Sequence, residues 1–178
     1  MIDYDINKIK MVISDIDGVW TDGSIYVGNK ESEIKKFNVN DGAGVALLRQ
    51  SGINLALISG RKSNATALRA SELKIEDVYN GILNKLIPYE ELKSKYNLDD
   101  SEIAYIGDDL IDIPVMEKVA VPIATQNASD PCKSVAVHVT NKSGGEGAFR
   151  EAVEWILIKQ GRLEKVILDL KNQLLKRK

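Results

Sequence analysis

Four short aliphatic runs recur along the chain, at residues 10–14 (KMVIS), 53–59 (INLALIS), 103–106 (IAYI) and 119–124 (VAVPIA). None alternates apolar with polar residues. Each therefore reads as a strand buried on both faces, as the strands of parallel sheets are. Helical patterns fill the intervals, at 44–50, 63–73, 86–96, 111–118 and 147–160. Gly52 closes the first of these, and Ser63 offers an N-cap to the second. Pro88 and Pro114 fall in first turns, where a missing N–H costs nothing. The alternation predicts an α/β fold: one doubly wound, mostly parallel, Rossmann-like sheet, with its chemistry at the carboxyl ends of the strands.

One segment breaks the alternation. Residues 24–27 (SIYV) and 33–37 (EIKKF) flank Gly28-Asn29-Lys30, which predicts a β-hairpin inserted after the first strand. Its Ile25, Val27, Ile34 and Phe37 are apolar groups that a lone ribbon cannot bury, so pairing with copies of itself is expected. Residues 162–178 carry apolar side chains at 163, 166, 167, 170 and 174, a helical stripe. The expected division is a domain over 1–161 and a tail over 162–178. That tail has six basic and two acidic side chains, a net +4, and the other 161 residues carry a net −6. It reads as a solvated helix or as a tail that visits an acidic site, a neighbour's active site included.

The balance of −2 overall gives no basic field for nucleic acid. No apolar run approaches the length of a membrane span. The start, Met1-Ile2-Asp3-Tyr4-Asp5, lacks the basic and apolar regions of a secretory leader, so a cytoplasmic protein is expected. The single cysteine, Cys132, is assigned to a loop and forms no intrachain disulfide.

The polar groups after the runs carry the chemistry. The first run leads into Asp15-Ile16-Asp17-Gly18, and the second ends in Ser59-Gly60-Arg61. Lys85 opens a helix after a turn at Asn80-Gly81. The run at 103–106 leads into Gly107-Asp108-Asp109-Leu110-Ile111-Asp112. Two carboxylates two residues apart address one ligand only if the backbone turns sharply. A hydroxyl with free N–H groups at a strand-to-helix junction suits a phosphate. Singly, each reads as a cap, a loop or a solvated lysine; together, at one sheet edge, they read as a site. Converging carboxylates repel unless a cation joins them, and oxygen ligands select a hard ion, Mg²⁺ by default.

Asp15-x-Asp17, Ser59, Lys85 and Gly107-Asp108-Asp109-x-x-Asp112 resemble the four motifs of the haloacid dehalogenase superfamily of phosphohydrolases, over nearly the whole chain. The resemblance implies that Asp15 attacks phosphorus and forms an aspartyl-phosphate, and that Asp17 acts as acid and then as base. It implies that Ser59 and Lys85 hold the phosphoryl oxygens. Mg²⁺ would sit on the Asp15 carboxylate, the Asp17 backbone carbonyl and Asp108, with Asp112 orienting metal-bound water. Gaps of 44, 26 and 23 residues separate Asp15, Ser59, Lys85 and Asp108, and none has room for a cap domain. The site is open, or another subunit covers it.

Asp17-Gly18-Val19, Thr21-Asp22-Gly23, Phe37-Asn38-Val39-x-Asp41-Gly42, Ser59-Gly60-Arg61 and Gly144-Gly145-x-Gly147-Ala148-x-Arg150-Glu151 resemble the capless sugar-acid phosphatases of that superfamily. This implies Mg²⁺-dependent hydrolysis of 3-deoxy-D-manno-octulosonate 8-phosphate, in lipopolysaccharide sugar biosynthesis, by a homotetramer with hairpins at its centre. The implied substrate positions are Asp17, Asn38, Val39, Asn40, Asp41, Gly42, Gly60, Arg61, Arg69 and Lys85. The forks of Arg61 and Arg69 suit a carboxylate. Asn40 departs from the arginine the subgroup often has, and Ala46 stands where a basic residue can occur. Nonulosonate 9-phosphate phosphatases share several of these stretches but tend to be acidic at the position of Arg61. A reading of another class is a non-catalytic oligomerisation or regulatory module. A receiver domain has its paired acids before the phosphoacceptor strand, unlike Asp15-x-Asp17. Trp20 reads equally as a packed aromatic or a substrate wall, and His138 as a strand residue.

Overall fold

The computed structural model describes residues 4–29 and 33–176. The main sheet is built from β1 (Met11–Ser14), β4 (Asn54–Ser59), β5 (Asp77–Asn80), β6 (Ile103–Gly107), β7 (Val121–Ala124) and β8 (His138–Val139). All pairings are parallel, in the order β5-β4-β1-β6-β7-β8. A separate antiparallel ribbon joins β2 (Tyr26–Val27) to β3 (Glu33–Ile34). The expected hairpin is therefore present but shorter than 24–37, and Lys30 of its turn lies outside the described residues. The helices are α1 (Val39–Ser51), α2 (Asn64–Glu72), α3 (Leu86–Tyr96), α4 (Ile113–Met116), α5 (Asp130–Val135), α6 (Ala148–Lys159) and α7 (Leu163–Lys176).

The period of two along each central strand divides its side chains between two cores. Val12 packs with Leu47 and Leu48 of α1 and Phe149 and Val153 of α6. Met11 and Ile13 pack with Tyr89 and Leu92 of α3 and Val115 and Met116 of α4. Both faces are covered, so the continuous aliphatic runs are explained. β1 lies between β4 and β6, with Ser14 level with Leu57 and Ile106. The chain moves outward on one side to β5 and on the other to β8. The strand order reverses beside β1, which opens a crevice at the carboxyl ends of β1, β4 and β6.

Four readings change. α1 starts at Val39 rather than 44, because Asn38 caps it by accepting the Asn40 N–H at 2.9 Å. β5 (DVYN) escapes the pattern because it is an edge strand, and most of its residues are only half-buried. Cys132 lies in α5, buried, and not in a loop. Trp20 is fully buried: its ring stacks on Phe149 at 4.2 Å, and its Nε1 donates to Ser14 Oγ at 3.0 Å. It supports the end of β1 from below and is not a wall of the cleft. His138 does lie in β8, stacked on Trp155.

α7 docks on the domain through Val166, Leu163 and Leu170, while Ile167, Leu168, Leu174 and Leu175 are exposed. The tail is thus a continuation of the fold along its first half; Arg177 and Lys178 lie outside the described residues. Among the described residues, no helix is long and apolar enough to cross a membrane.

Candidate active site

The chain turns sharply where β1 ends. Gly18 has φ +87°, and a Cβ there would lie 2.0 Å from Asp108 Oδ2, so only glycine lets the two acidic loops meet. The Gly18 carbonyl accepts from Asn127 Nδ2 at 3.1 Å and Thr125 Oγ1 at 3.3 Å. Gly144 presses on the same carbonyl, where a Cβ would approach to 1.9 Å. The glycine-rich loop before α6 therefore clamps the turn.

Beneath the turn, Lys85 is buried at the start of α3. Its Nζ lies 2.7 Å from Asp15 Oδ1 and 2.6 Å from Asp112 Oδ1. Asp112 is fully engaged. Its Oδ1 also accepts from Tyr105 Oη at 2.6 Å, and its Oδ2 accepts from the N–H groups of Asp108 at 2.9 Å and Asp109 at 3.2 Å. Both oxygens hold Lys85 and shape the loop beside Asp15 and Asp108. Tyr105 was missed because it sits inside an apolar run, where an aromatic reads as core.

Asp15, Asp108 and Asp112 bring carboxylate oxygens within 4.8 Å of one another. Burial lifts Asp15 above the ordinary carboxylate range, with the Asp112 charge adding and Lys85 opposing. Asp108 is lifted too, by burial and then by the charges of Asp15 and Asp112. Asp108 Oδ1 is buried without a hydrogen-bond partner. Surplus negative charge, hard oxygen donors and an unpartnered buried oxygen fit a divalent cation such as Mg²⁺.

Ser59 ends β4; its Oγ donates to the Arg61 carbonyl at 2.9 Å and accepts the Arg61 N–H at 3.3 Å. Asp15, Asp17, Ser59, Gly60, Arg61 and Asp108 open on one cleft of about 480 Å³, walled on its apolar side by Ile25, Leu83 and Ile111. The hairpin adds two charged groups that the sequence reading missed. Glu33 Oε2 accepts from Arg61 Nη2 at 2.7 Å and Nε at 3.0 Å, and Glu33 Oε1 accepts from Ser63 Oγ at 2.5 Å. The Lys35 Nζ lies 2.6 Å and 2.8 Å from the two Asp17 oxygens. The signal was present as Glu-x-Lys in the expected strand over 33–37, a spacing that puts both on one face.

The remaining expected substrate positions lie apart from the cleft in the single chain. Asn38 Nδ2 donates to the Gly145 carbonyl at 3.1 Å, and Val39 and Asn40 are exposed at the start of α1. Asp41 is fully buried and accepts the Arg150 N–H at 3.1 Å, which ties α1 to α6; burial pushes its carboxyl up to about 6. Gly42 packs beside Arg69, whose Nη1 is 2.7 Å from Glu72. Only Asp41 Oδ1 is used in this tie between helices; its Oδ2 is buried without a hydrogen-bond partner.

Residues 58–150 match the family model of the haloacid dehalogenase-like hydrolases. The chain is 43% identical to the 3-deoxy-D-manno-octulosonate 8-phosphate phosphatase of Escherichia coli (strain K12), over 88% of this chain and 84% of that protein. Its fold is similar to the solved phosphatase of that name from Yersinia pestis, with a TM-score of 0.86, 42% identity, and coverage of 89% of this chain and 86% of that one. It is also similar to the Moraxella catarrhalis phosphatase solved with a magnesium ion, a phosphate ion and a KDO molecule. There the TM-score is 0.88 and the identity 37%, over 92% of this chain and 94% of that one.

Proposed function

The chain belongs to the haloacid dehalogenase-like hydrolases, and on that footing we propose that it is a Mg²⁺-dependent phosphatase acting on 3-deoxy-D-manno-octulosonate 8-phosphate. The products are the free sugar acid and phosphate, in the cytoplasmic synthesis of lipopolysaccharide sugars. The observation that carries the reading is the Asp15–Lys85–Asp112 cluster against Asp108, at the edge of a cleft that, among the described residues, no cap domain covers.

Asp15 is the nucleophile. Its oxygen bonds to phosphorus as the bond from phosphorus to the sugar oxygen breaks, and Asp17 gives that oxygen a proton. A water oxygen then bonds to phosphorus, its proton passes to Asp17, and the bond from Asp15 to phosphorus breaks. Ser59 and Lys85 hold the phosphoryl oxygens. Mg²⁺, held by Asp15, Asp108 and the Asp17 carbonyl, supplies the charge neutralisation that lets one anion approach another. Arg61 takes the sugar carboxylate through the N–H groups that Glu33 leaves free. The working form is a homotetramer built through the hairpin, where Val27 and Ile34 are 75% and 66% exposed.

Phosphate release from the octulosonate 8-phosphate, a nonulosonate 9-phosphate and p-nitrophenyl phosphate tests this, with Mg²⁺ and with EDTA. Turnover is expected with Mg²⁺ only, with the highest kcat/KM on the octulosonate. Asp15→Asn should keep the fold and lose about 10⁴-fold in kcat. Full turnover in EDTA, or more than about one per cent retained by Asp15→Asn, would overturn the mechanism. A preference for the nonulosonate would overturn only the substrate.

A further inference from the structure

Lys35 has no part in the reaction as written, yet it pairs directly with Asp17. It follows β3, at the base of the hairpin, and its side chain is wholly buried. Its Nζ meets both Asp17 oxygens, at 2.6 Å and 2.8 Å. It also lies 3.4 Å from Thr66 Oγ1 in α2 and 3.9 Å from Glu33 Oε1. The partner is not buried: the Asp17 side chain keeps 24% of its surface open, toward the cleft. An ammonium taken out of water costs several kcal/mol unless a counter-charge meets it, so this pairing restrains the position of both groups. A cation hydrogen-bonded to Oδ2 and in ion contact with Oδ1 restrains the rotation of that carboxylate as well as its place.

We propose that Lys35 is a positioning residue for the proposed reaction: it holds the Asp17 carboxylate in the plane from which it reaches the sugar oxygen and the attacking water. The proposal rests on the assignment of Asp17 to proton transfer. Lys35 forms and breaks no bond itself. Its anchorage gives the hairpin a second duty beyond assembly. Lys35 bonds to α2 through Thr66, and Glu33 bonds to the cap of α2 through Ser63, so the hairpin base and the helix together form the bracket that aims Asp17.

Lys35→Met keeps the length of the side chain and removes the charge. It should be compared with wild type on two substrates, using the full chain with Mg²⁺. On the octulosonate 8-phosphate, whose alkoxide needs a proton to leave, kcat should fall about 10²-fold with KM within about threefold. On p-nitrophenyl phosphate, rapid mixing should show a burst of p-nitrophenolate at close to the wild-type rate, because that group leaves unaided. The steady-state rate after the burst should fall, because the attacking water still needs Asp17. Lys35→Arg should recover much of the loss. Equal losses in the burst and on the sugar phosphate would show a merely structural lysine and overturn the proposal; so would an unchanged kcat on the sugar phosphate. Should Lys35→Met fail to fold, Thr66→Val decides. It removes one anchor of the lysine within an intact helix, and it should cost severalfold on the sugar phosphate and nothing in the burst; any other pattern overturns the proposal. Asp17→Asn separates the premise from the proposal. If it turns over the sugar phosphate normally, the role of Asp17 falls; if it is impaired while Lys35→Met is not, only the role of Lys35 falls.

Discussion

Arg61 spends its Nε–H and one Nη2–H on a single Glu33 oxygen, which leaves its other guanidinium N–H groups for a substrate carboxylate. Arg61→Ala should therefore raise KM for the octulosonate 8-phosphate by about 10- to 100-fold, the loss of a charged hydrogen-bonded pair. KM for p-nitrophenyl phosphate, which lacks a carboxylate, should hardly move; steady-state kinetics on both substrates check this. Asp41 yields an expectation in stability instead. Its folded-state carboxyl titrates at about 6 against an ordinary value of 3.8, so between those pH values the folded chain keeps a proton that the unfolded chain has lost. Stability should fall as pH rises through that window, by up to about 3 kcal/mol from this group. Asp41→Asn should flatten that slope in denaturant titrations run from pH 4 to 7. Asp15, Asp17, Ser59, Lys85 and Asp108 were legible because each sits at a strand or helix end, where a sequence pattern marks the position. The burial of Asp41 and the partners of Lys35 and Glu33 were not, because they depend on which elements dock together across the fold.

At the scale of elements, α2 and the hairpin are one unit in practice. Ser63 Oγ accepts the Thr66 N–H at 3.3 Å as the N-cap of α2 and donates to Glu33 at 2.5 Å. Ser63→Ala should cost about 1 kcal/mol of stability from the cap alone. It should also speed hydrogen exchange in residues 33–35 relative to β1, which a simple cap loss would not do. The strands were readable from the sequence because a doubly covered sheet demands uninterrupted aliphatic runs. β5 was not, because an edge strand need bury only part of itself and tolerates Asp77 and Asn80. The first turn of α1 was also hidden, since Asn40, Asp41 and Gly42 look like a loop until Asn38 is seen to cap them.

For the whole molecule, the open cleft and the bare hairpin make one expectation. Light scattering should give about 80 kDa, four chains of 19.7 kDa. Val27→Asp should lower that mass while leaving the main sheet intact by circular dichroism; a wild-type monomer with full activity would refute the assembly. The place of β1 in the sheet reaches further, into how the protein is made. β1 is an inner strand, yet it leaves the ribosome before the other strands of its sheet, and its partners on the two sides end only at Ser59 and Gly107. At about 5–20 residues per second, its second edge stays unpaired for roughly 5–20 s of synthesis. For that interval Met11, Val12 and Ile13 form an aliphatic template open to any neighbouring chain. The same centrality means that no fragment ending before Gly107 holds a complete acidic site, so a nascent chain is catalytically silent until Asp112 has been translated.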